Sequence, residues 1–279
     1  MMFCIRAYGK INLNLSVSSL CPSGMHQVSS IFQTLSIYDD LYVEEVPEKR
    51  LFLQSNYRDY PVDEDNVLCR LYEKLKDRLP CGFHINVYKQ IPIGAGLGGG
   101  SSQVAAFLRF LNDQYSLGYD ALSLADLAHL FGSDVAYFLQ GDHCLVEGFG
   151  ERVTPVSCFD RDVFYLLILP SFSLSTKAIY AYFDSLQLGA DFSSALLLPL
   201  GYNSLFAAVF DYSSEFRDLC ALLNSLSLPD FYLSGSGSTL YIPFQDLDSA
   251  ITSYQCLLDY SSKFDLFWTS PVSKPSIVF

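Results

Sequence analysis

The sequence predicts an α+β protein whose strands and helices form one large domain or two packed ones. Half of its 279 residues are hydrophobic and 17% are charged, which suffices for a sizeable core and argues against disorder. Several segments alternate apolar with polar residues, as half-buried strands do. Helical patterns follow them without the regular strand–helix alternation of a doubly wound sheet, so the α+β class is favoured.

The first half of the chain contains three strand patterns and two helix patterns. Residues 3–17, 28–46 and 83–89 carry branched or aromatic side chains at alternating positions, which predicts strands, with more than one in the second segment. The acidic and amide side chains at residues 63–66 offer N-caps for an amphipathic helix that precedes the third pattern. Residues 101–115 place apolar side chains at helical spacing.

The later elements are less regular. A capping-box-like pattern at Ser123 predicts a short helix, and a second short helix begins near Asp134. Composition changes at residues 153–161, where we place a domain boundary. Beyond it, an apolar strand at residues 163–169 and further helices lead to a second small-residue turn at residues 234–238.

The charge of the chain limits its partners. The formal net charge is −13 and the pI about 4.5, so the average field repels nucleic acid and anionic membranes. Polyphosphate ligands are still allowed, because backbone amides and a metal ion neutralise them locally. No stretch approaches the ~18 apolar residues of a membrane span, and no signal peptide is evident. We therefore expect a cytoplasmic protein that binds neither membranes nor nucleic acid.

Cysteine and histidine usage gives no sign of a metal or disulfide framework. The eight cysteines show no C-x-x-C spacing, and the four histidines are dispersed along the chain. In a chain without an export signal, such cysteines are mostly small buried apolar residues. The histidines match no zinc pattern, so we predict no metal site built from protein ligands.

The strongest local signal is a glycine-rich segment at residues 92–102, Pro-Ile-Gly-Ala-Gly-Leu-Gly-Gly-Gly-Ser-Ser. It lies between a predicted strand and a predicted helix. So many glycines carry a large cost in backbone entropy, and they permit a tight path in which several amides point one way. At a helix N-terminus such amides form a cradle for an anion, most often phosphate.

Three phosphate-binding loops can be compared with this segment. Residues 94–99 satisfy G-x-G-x-x-G, but the following stretch lacks the second strand and strand-end acid of a dinucleotide site. A Walker A loop needs a lysine after the last glycine, and here Gly100 is followed by Ser101 and Ser102. The motifs of protein kinases are missing. What is left is a lysine-free loop in which amides, the helix dipole and a serine hydroxyl hold the phosphates.

This loop resembles the central motif of the GHMP kinases, named for galactose, homoserine, mevalonate and phosphomevalonate. Residues 7–13 and 233–238 resemble the first and third motifs of that family, in the expected order. The resemblance implies an N-terminal sheet-plus-helix domain with a left-handed βαβ unit (residues 1–155) and a C-terminal ferredoxin-like domain (residues 156–279). The active site should lie in the cleft between them, with the third motif supporting the phosphate loop.

Further segments are similar to one branch of the family. Residues 23–26, 31–35, 132–135 and 147–151 match kinases that phosphorylate the 2-hydroxyl of a methylerythritol linked to cytidine diphosphate, in non-mevalonate isoprenoid precursor synthesis. This resemblance implies ATP, with Mg²⁺ delivered on it, as the cofactor. It also implies a small-molecule substrate with a cytidine diphosphate moiety.

Lys10 and Asp134 are the catalytic residues that the resemblance implies. Phosphoryl transfer to an alcohol needs charge neutralisation and an acceptor for the hydroxyl proton. Asp134 would accept that proton, and Lys10 would keep it ionised and stabilise the transferring group. Judged on the residues alone, an N-cap is the favoured role for Asp134, and an edge lysine that extends to solvent is the favoured role for Lys10. With the matching motifs, the catalytic roles are favoured.

The remaining site residues also come from the resemblance. Asn12, Met25, His26 and Tyr180 would line the acceptor site, with the histidine at the base edge and Tyr180 as an aromatic wall. Met25 departs from the family pattern, which has an aromatic residue there that stacks on cytosine; a thioether makes a weaker ring contact. Asn66 and Lys89 would contact the adenine side of ATP. The phosphate loop itself comprises Pro92, Ile93, Gly94, Ala95, Gly96, Leu97, Gly98, Gly99, Gly100, Ser101 and Ser102.

Three alternatives stand beside this hypothesis. A catalytically silent nucleotide-binding protein of the same fold would be expected to have lost Lys10 or Asp134, and both are present. A dinucleotide oxidoreductase lacks its strand-end acid. A GHMP kinase for another small alcohol, such as mevalonate or homoserine, is favoured by Met25 and opposed by the segments around His26 and Asp134.

Overall fold

In the computed structural model, which describes residues 1–157 and 162–273, the chain forms two β-sheets with helices packed on them. Residues 1–157 form the first sheet and its helices. Its strands are β1 (Met2–Leu20), β2 (His26–Val46), β3 (Leu51–Ser55), β4 (Gly82–Tyr88), β5 (His143–Gly148) and β6 (Arg152–Pro155), and its helices are α1 (Val67–Leu75), α2 (Gly99–Gln114), α3 (Ala121–His129) and α4 (Val135–Gln140).

The first sheet is built around two very long strands, β1 and β2, which pair antiparallel along most of their length. The path β3-β4-β2-β5-β6 runs beside them, and β1 pairs with β2 off that path. Strands β3 and β4 pair in parallel, and α1 lies in the connection between them. This connection is the βαβ unit of the predicted fold.

The second sheet belongs to the C-terminal half. Its strands are β7 (Phe164–Pro170), β8 (Tyr232–Leu233), β9 (Leu240–Phe244) and β10 (Phe264–Thr269), and its helices are α5 (Thr176–Ser185), α6 (Phe206–Tyr212), α7 (Ser214–Ser225) and α8 (Leu247–Leu258). The sheet order is β10-β7-β9-β8, with antiparallel neighbours throughout. A split βαβ arrangement of this order is the ferredoxin-like topology, so the predicted fold class is confirmed.

The two sheets share apolar contacts at their junction. Ile11 and Leu13 of β1 lie in one buried cluster with Leu167 of β7 and Tyr241 of β9. The hydroxyl of Tyr241 donates a hydrogen bond to the Asn12 carbonyl over 3.0 Å. The domain boundary after residue 155 stays a prediction. Residues 158–161, which belong to the expected boundary segment, lie outside the described ranges.

Several element bounds differ from the sequence-based predictions. Residues 28–46 form one strand with bulges instead of several strands. Helix α1 begins after its Asn66 cap as expected, but a 3-10 turn (Lys76–Arg78) follows Leu75. The predicted cap of α3 is Ser123, but the observed cap is Asp120, whose carboxylate accepts the Ser123 amide at 2.9 Å. The helix therefore begins before the predicted cap. Among the described residues, no helix combines the length and apolar character needed to cross a bilayer.

Phe83→Ala should lower the free energy of unfolding by about 3–5 kcal/mol, the usual effect of a large cavity in a packed core. The Phe83 ring is fully buried on β4 and meets the Phe107 ring of α2 edge-on at 5.6 Å. Phe52→Ala on the adjacent strand is the matched control, because that ring is 46% exposed and should cost less than about 1 kcal/mol. Urea denaturation measures both, and equal losses would contradict this core assignment.

Candidate active site

A cleft of about 640 Å³ lies where the glycine loop, β1, β2 and α5 meet. Nearly all of the predicted site residues line it, although they come from both halves of the sequence. These residues are Lys10, Asn12, Met25, His26, Asn66, Lys89, Pro92, Ile93, Gly94, Ala95, Gly96, Leu97, Gly98, Gly99, Gly100, Ser101, Asp134 and Tyr180.

The two serines that end the loop face different surroundings. Ser101 lines the cleft, so its hydroxyl is available to an anion bound there. Ser102 is buried, and its hydroxyl donates a hydrogen bond to the Gly99 carbonyl over 2.9 Å. The structure therefore separates the two serines, which the sequence could not distinguish, and favours Ser101 as the phosphate ligand.

The glycine loop needs glycine for two physical reasons. Gly94, Gly96 and Gly98 have φ angles of 69°, 75° and 72°, which side chains rarely adopt. Helix α2 begins directly after Gly98, and a Cβ there would lie 2.8 Å from the Phe138 ring and 3.2 Å from Cγ of Lys10. The loop thus presents its backbone at the N-terminus of a 16-residue helix, where anions are favoured.

The third motif supports this loop from behind, as the resemblance implied. A Cβ on Gly96 would lie 2.3 Å from the Ser234 carbonyl oxygen, so the two backbones are in direct contact. The Ser234 hydroxyl donates to the Gly96 carbonyl at 3.1 Å, and the Thr239 amide donates to the Ala95 carbonyl at 3.3 Å. The path of the loop therefore depends on a turn much later in the chain, since Ser234 lies 138 residues after Gly96.

Lys10 and Asp134 meet at the mouth of the loop. The Lys10 ammonium lies 3.5 Å from Oδ2 of Asp134, 2.7 Å from Oδ1 of Asn12 and 4.7 Å from the centre of the Phe32 ring. Burial lowers the pKa of Lys10, and the Asp134 carboxylate opposes that shift. The backbone amide of Lys10 donates to the Leu97 carbonyl at 2.9 Å, which ties β1 to the loop.

Asp134 precedes α4 but does not cap it with its side chain. The side chain is 31% exposed, so it reaches both the buried lysine and the open cleft. Lys10, in contrast, is a buried residue and does not extend to solvent. The N-cap role is therefore disfavoured for Asp134, because its carboxylate faces Lys10 and not the helix backbone. The role of a solvent-exposed edge lysine is disfavoured for Lys10, because the residue is buried.

The acceptor side of the cleft joins β2 to α5. Nδ1 of His26 lies 2.8 Å from the Ser18 carbonyl, and Nε2 lies 3.4 Å from Oδ2 of Asp184. The imidazole ring lies 5.1 Å from the Tyr180 ring, centre to centre. Burial raises the pKa of the Tyr180 hydroxyl, and Asp134 adds to the shift. Met25 lies beside His26 with 44% of its surface exposed.

Asn66 and Lys89 also line the cleft, but their polar atoms already have partners. Asn66 accepts the Leu68 amide at 2.8 Å as the cap of α1. Its amide group donates to the Pro61 carbonyl at 2.6 Å. The Lys89 ammonium lies 2.5 Å from Oδ2 of Asp39. Both side chains are therefore rigidly placed beside the loop.

Comparison with known proteins shows the family of this chain. Residues 66–142 match the GHMP kinases N terminal domain. The chain is 30% identical over 273 residues to the 4-diphosphocytidyl-2-C-methyl-D-erythritol kinase of Alkaliphilus oremlandii, with 91% of each chain covered. This chain belongs to the GHMP kinase family. It is accordingly an ATP-dependent kinase.

Three further comparisons concern one relative and two solved structures. The kinase of the same name from Clostridium botulinum strain Alaska E43 is also 30% identical over 273 residues, covering 90% of this chain and 94% of that one. A crystal structure of 4-(cytidine 5'-diphospho)-2C-methyl-D-erythritol kinase aligns with a TM-score of 0.78 at 27% identity, covering 96% of this chain and 99% of that one. The homoserine kinase of Cytophaga hutchinsonii aligns with a TM-score of 0.68 at 13% identity, covering 99% and 97%, and shares the fold.

Sequence reasoning missed several residues of the cleft. Phe32, Thr176 and Ser236 line the cleft. The carboxylates of Asp184 and Asp39 face the cleft residues His26 and Lys89. Asp39 left a readable signal, because it occupies the same alternating face of β2 as Ile37 and Leu41, which are fully buried. A buried carboxylate needs a partner. Phe32 and Ser236 lie in segments that resemble the family but were not assigned to the site, and Thr176 and Asp184 offered no pattern of their own.

No group of three or more His, Cys, Asp or Glu side chains in residues 1–157 and 162–273 could hold a metal ion.

Gly98→Val should weaken ATP binding by about tenfold or more, because the side chain would displace Phe138 or Lys10 and deform the amide cradle. Calorimetric titration with ATP measures the affinity. Gly118→Val is the matched control: Gly118 has a similar φ of 77°, lies in open space and follows the far end of α2. Unchanged affinity in a folded Gly98→Val protein would contradict the assignment of the loop.

Proposed function

We propose that this kinase transfers the γ-phosphoryl group of ATP to the 2-hydroxyl of 4-diphosphocytidyl-2-C-methyl-D-erythritol, in the cytoplasm, as a step of non-mevalonate isoprenoid precursor synthesis. The observation that carries the proposal is the contact of Lys10 with Asp134, 3.5 Å apart at the N-terminus of α2. The relatives that cover about nine-tenths of this chain carry the name of that activity.

The loop would hold the phosphates of ATP. Its amides and the positive end of the α2 dipole face the cleft, and Ser101 adds a hydroxyl. Lys89 and Asn66 lie at the end of the cleft assigned to adenine. Mg²⁺ bound to the phosphates would supply charge neutralisation, and Ser101 is the loop side chain placed to contact it.

Asp134 would act as the acceptor for the hydroxyl proton. As the alcohol oxygen bonds to the γ-phosphorus, its O–H bond breaks and the proton passes to the Asp134 carboxylate. The bond from the γ-phosphorus to the bridging oxygen breaks, and ADP leaves with the electron pair. The Lys10 ammonium favours the ionised carboxylate before transfer and stabilises negative charge on the phosphoryl oxygens during it.

The wall formed by His26 and Tyr180 would hold the cytidine end of the acceptor. The two rings lie 5.1 Å apart and place an aromatic surface on the acceptor side of the cleft. Ser18 and Asp184 face the two imidazole nitrogens and fix the orientation of the ring. Base recognition would therefore use the faces of this wall together with the backbone of the β1–β2 turn.

A second candidate acceptor is another small alcohol of the GHMP class. Met25, where the branch has an aromatic residue, favours it, because a methionine at the rim constrains a nucleobase less than a stacked ring would. The wall of His26 and Tyr180 opposes it, since mevalonate and homoserine offer no ring to contact.

Asp134→Asn should lower kcat by about 100-fold or more while ATP affinity stays near the wild-type value, because only the proton acceptor is removed. The assay follows ADP release with Mg-ATP and the cytidine compound, its uridine analogue, mevalonate or homoserine. Asp126→Asn on exposed α3 is the control. Wild-type turnover in Asp134→Asn would refute the assigned base, and activity on mevalonate or homoserine alone would refute the acceptor.

Met25→Tyr should lower the KM for the cytidine compound by about fivefold or more, because a stacked base gains roughly 1–3 kcal/mol from an aromatic partner. The KM for ATP should not change, since Met25 lies outside the glycine loop and precedes His26 of the proposed acceptor wall. Steady-state kinetics with each substrate varied in turn measures both constants. An unchanged KM for the cytidine compound would show that this rim position does not contact the base.

A further inference from the structure

We propose that Asp39 is a positioning residue of the nucleotide site, and that it acts through Lys89 by holding the lysine ammonium at the N-terminus of α2. The inference rests on the nucleotide half of the proposed function and not on the identity of the acceptor alcohol. It concerns a residue that lies outside the lining of the cleft and outside the three motifs of the family.

The Asp39 carboxylate is fully buried and accepts four hydrogen bonds. Oδ1 accepts the backbone amides of Gln90 at 2.8 Å and Ile91 at 2.9 Å. Oδ2 accepts Nζ of Lys89 at 2.5 Å and Nε2 of Gln103 at 2.7 Å. One carboxylate on β2 thus binds the segment entering the glycine loop, the lysine before it and the second turn of α2.

Without Asp39, the buried position of the Lys89 ammonium would be energetically unfavourable. Its ammonium would lie 3.2 Å from a Cβ on Gly99, the first residue of α2, where the helix dipole disfavours a cation. Its side chain is only 3% exposed. Burial lowers the pKa of Lys89, and Asp39 opposes the shift. The carboxylate therefore keeps a charged amine beside the amides that receive the nucleotide.

A second chain of contacts makes the arrangement rigid. The Tyr60 hydroxyl donates to Oε1 of Gln103 at 2.7 Å, and the amide of the same glutamine donates to Asp39. Burial raises the pKa of Tyr60 to about 12, so its hydroxyl stays a donor at neutral pH. Tyr60, Gln103 and Lys89 all line the cleft, whereas Asp39 lies behind them. The carboxylate thus orders three residues that face the nucleotide.

Asp39→Asn separates this role from a general structural one. The asparagine oxygen can still accept the amides of Gln90 and Ile91, so the entry to the loop keeps its bonds. The new amide group faces two donors, the Lys89 ammonium and Nε2 of Gln103. The glutamine amide can turn over and accept from it, whereas an ammonium has no acceptor atom, so the Lys89 contact is the one that is lost. Asp40→Asn is the matched control, because Asp40 is the next residue of β2 and its carboxylate pairs with Arg6 at 3.3 Å.

The test is a double-mutant cycle on ADP affinity, measured by calorimetry without any acceptor alcohol. Asp39→Asn and Lys89→Met should each weaken ADP binding by about 10- to 100-fold, the range for a lost hydrogen bond to a charged group. The double variant should bind ADP no more weakly than the weaker-binding single variant, because both substitutions act through the same Lys89 ammonium. Asp40→Asn should bind ADP like the wild type.

Two results would overturn the proposal: wild-type ADP affinity in folded Asp39→Asn, or losses that add in the double variant. If Asp39→Asn does not fold, Lys89→Met is compared with the double variant, which has no unpaired ammonium. A further tenfold loss in the double variant would then overturn the proposal, and equal affinity would support it. Steady-state kinetics adds a second readout, in which the KM for ATP rises while kcat stays within about threefold.

Discussion

The close approach of three backbones at the glycine loop is the constraint on which the rest of the site depends. Strand β1 is tied to the loop by the hydrogen bond from the Lys10 amide to the Leu97 carbonyl, and the third-motif turn leaves no room for a Cβ at Gly96. At Gly98 the Phe138 ring and the Lys10 side chain leave no room for a Cβ. Because the loop cannot move relative to β1, Lys10 is placed at the start of α2. Because it cannot move relative to the later turn, the C-terminal half is fixed to the same point.

Two lysine–aspartate pairs flank the first turn of α2, and their differences indicate different roles. Asp39 is fully buried and every oxygen of its carboxylate has donors, so the Lys89 pair is static. Asp134 is 31% exposed and contacts Lys10 at 3.5 Å, a longer separation than the 2.5 Å of the other pair. In the proposed function, the looser, open pair is the one that would exchange a proton with a bound alcohol. In the further inference, the buried pair would position the nucleotide.

The acceptor wall depends on both halves of the chain. His26 begins β2, whereas Tyr180 and Asp184 lie on α5 of the C-terminal half. The imidazole touches the Tyr180 ring and faces the Asp184 carboxylate, so it links the first sheet to the second across the mouth of the cleft. Any shift between the two sheets would therefore move the two sides of this wall relative to each other. In the proposed function, the selectivity for the acceptor would depend on how the two sheets pack.

The sequence by itself determined the α+β class, most helices and strands, the phosphate loop and the candidate pair of Lys10 and Asp134. The class, the elements and the loop depend on local backbone rules: glycine permits positive φ, and side-chain periodicity follows the helix or strand. The candidate pair came from the resemblance to the family. Only the tertiary structure decided that Asp134 faces Lys10 instead of capping α4, that Ser102 faces inward, and that Asp39 holds Lys89 across 50 residues. Such choices arise from contacts between distant segments, and residue spacing along a chain does not specify them.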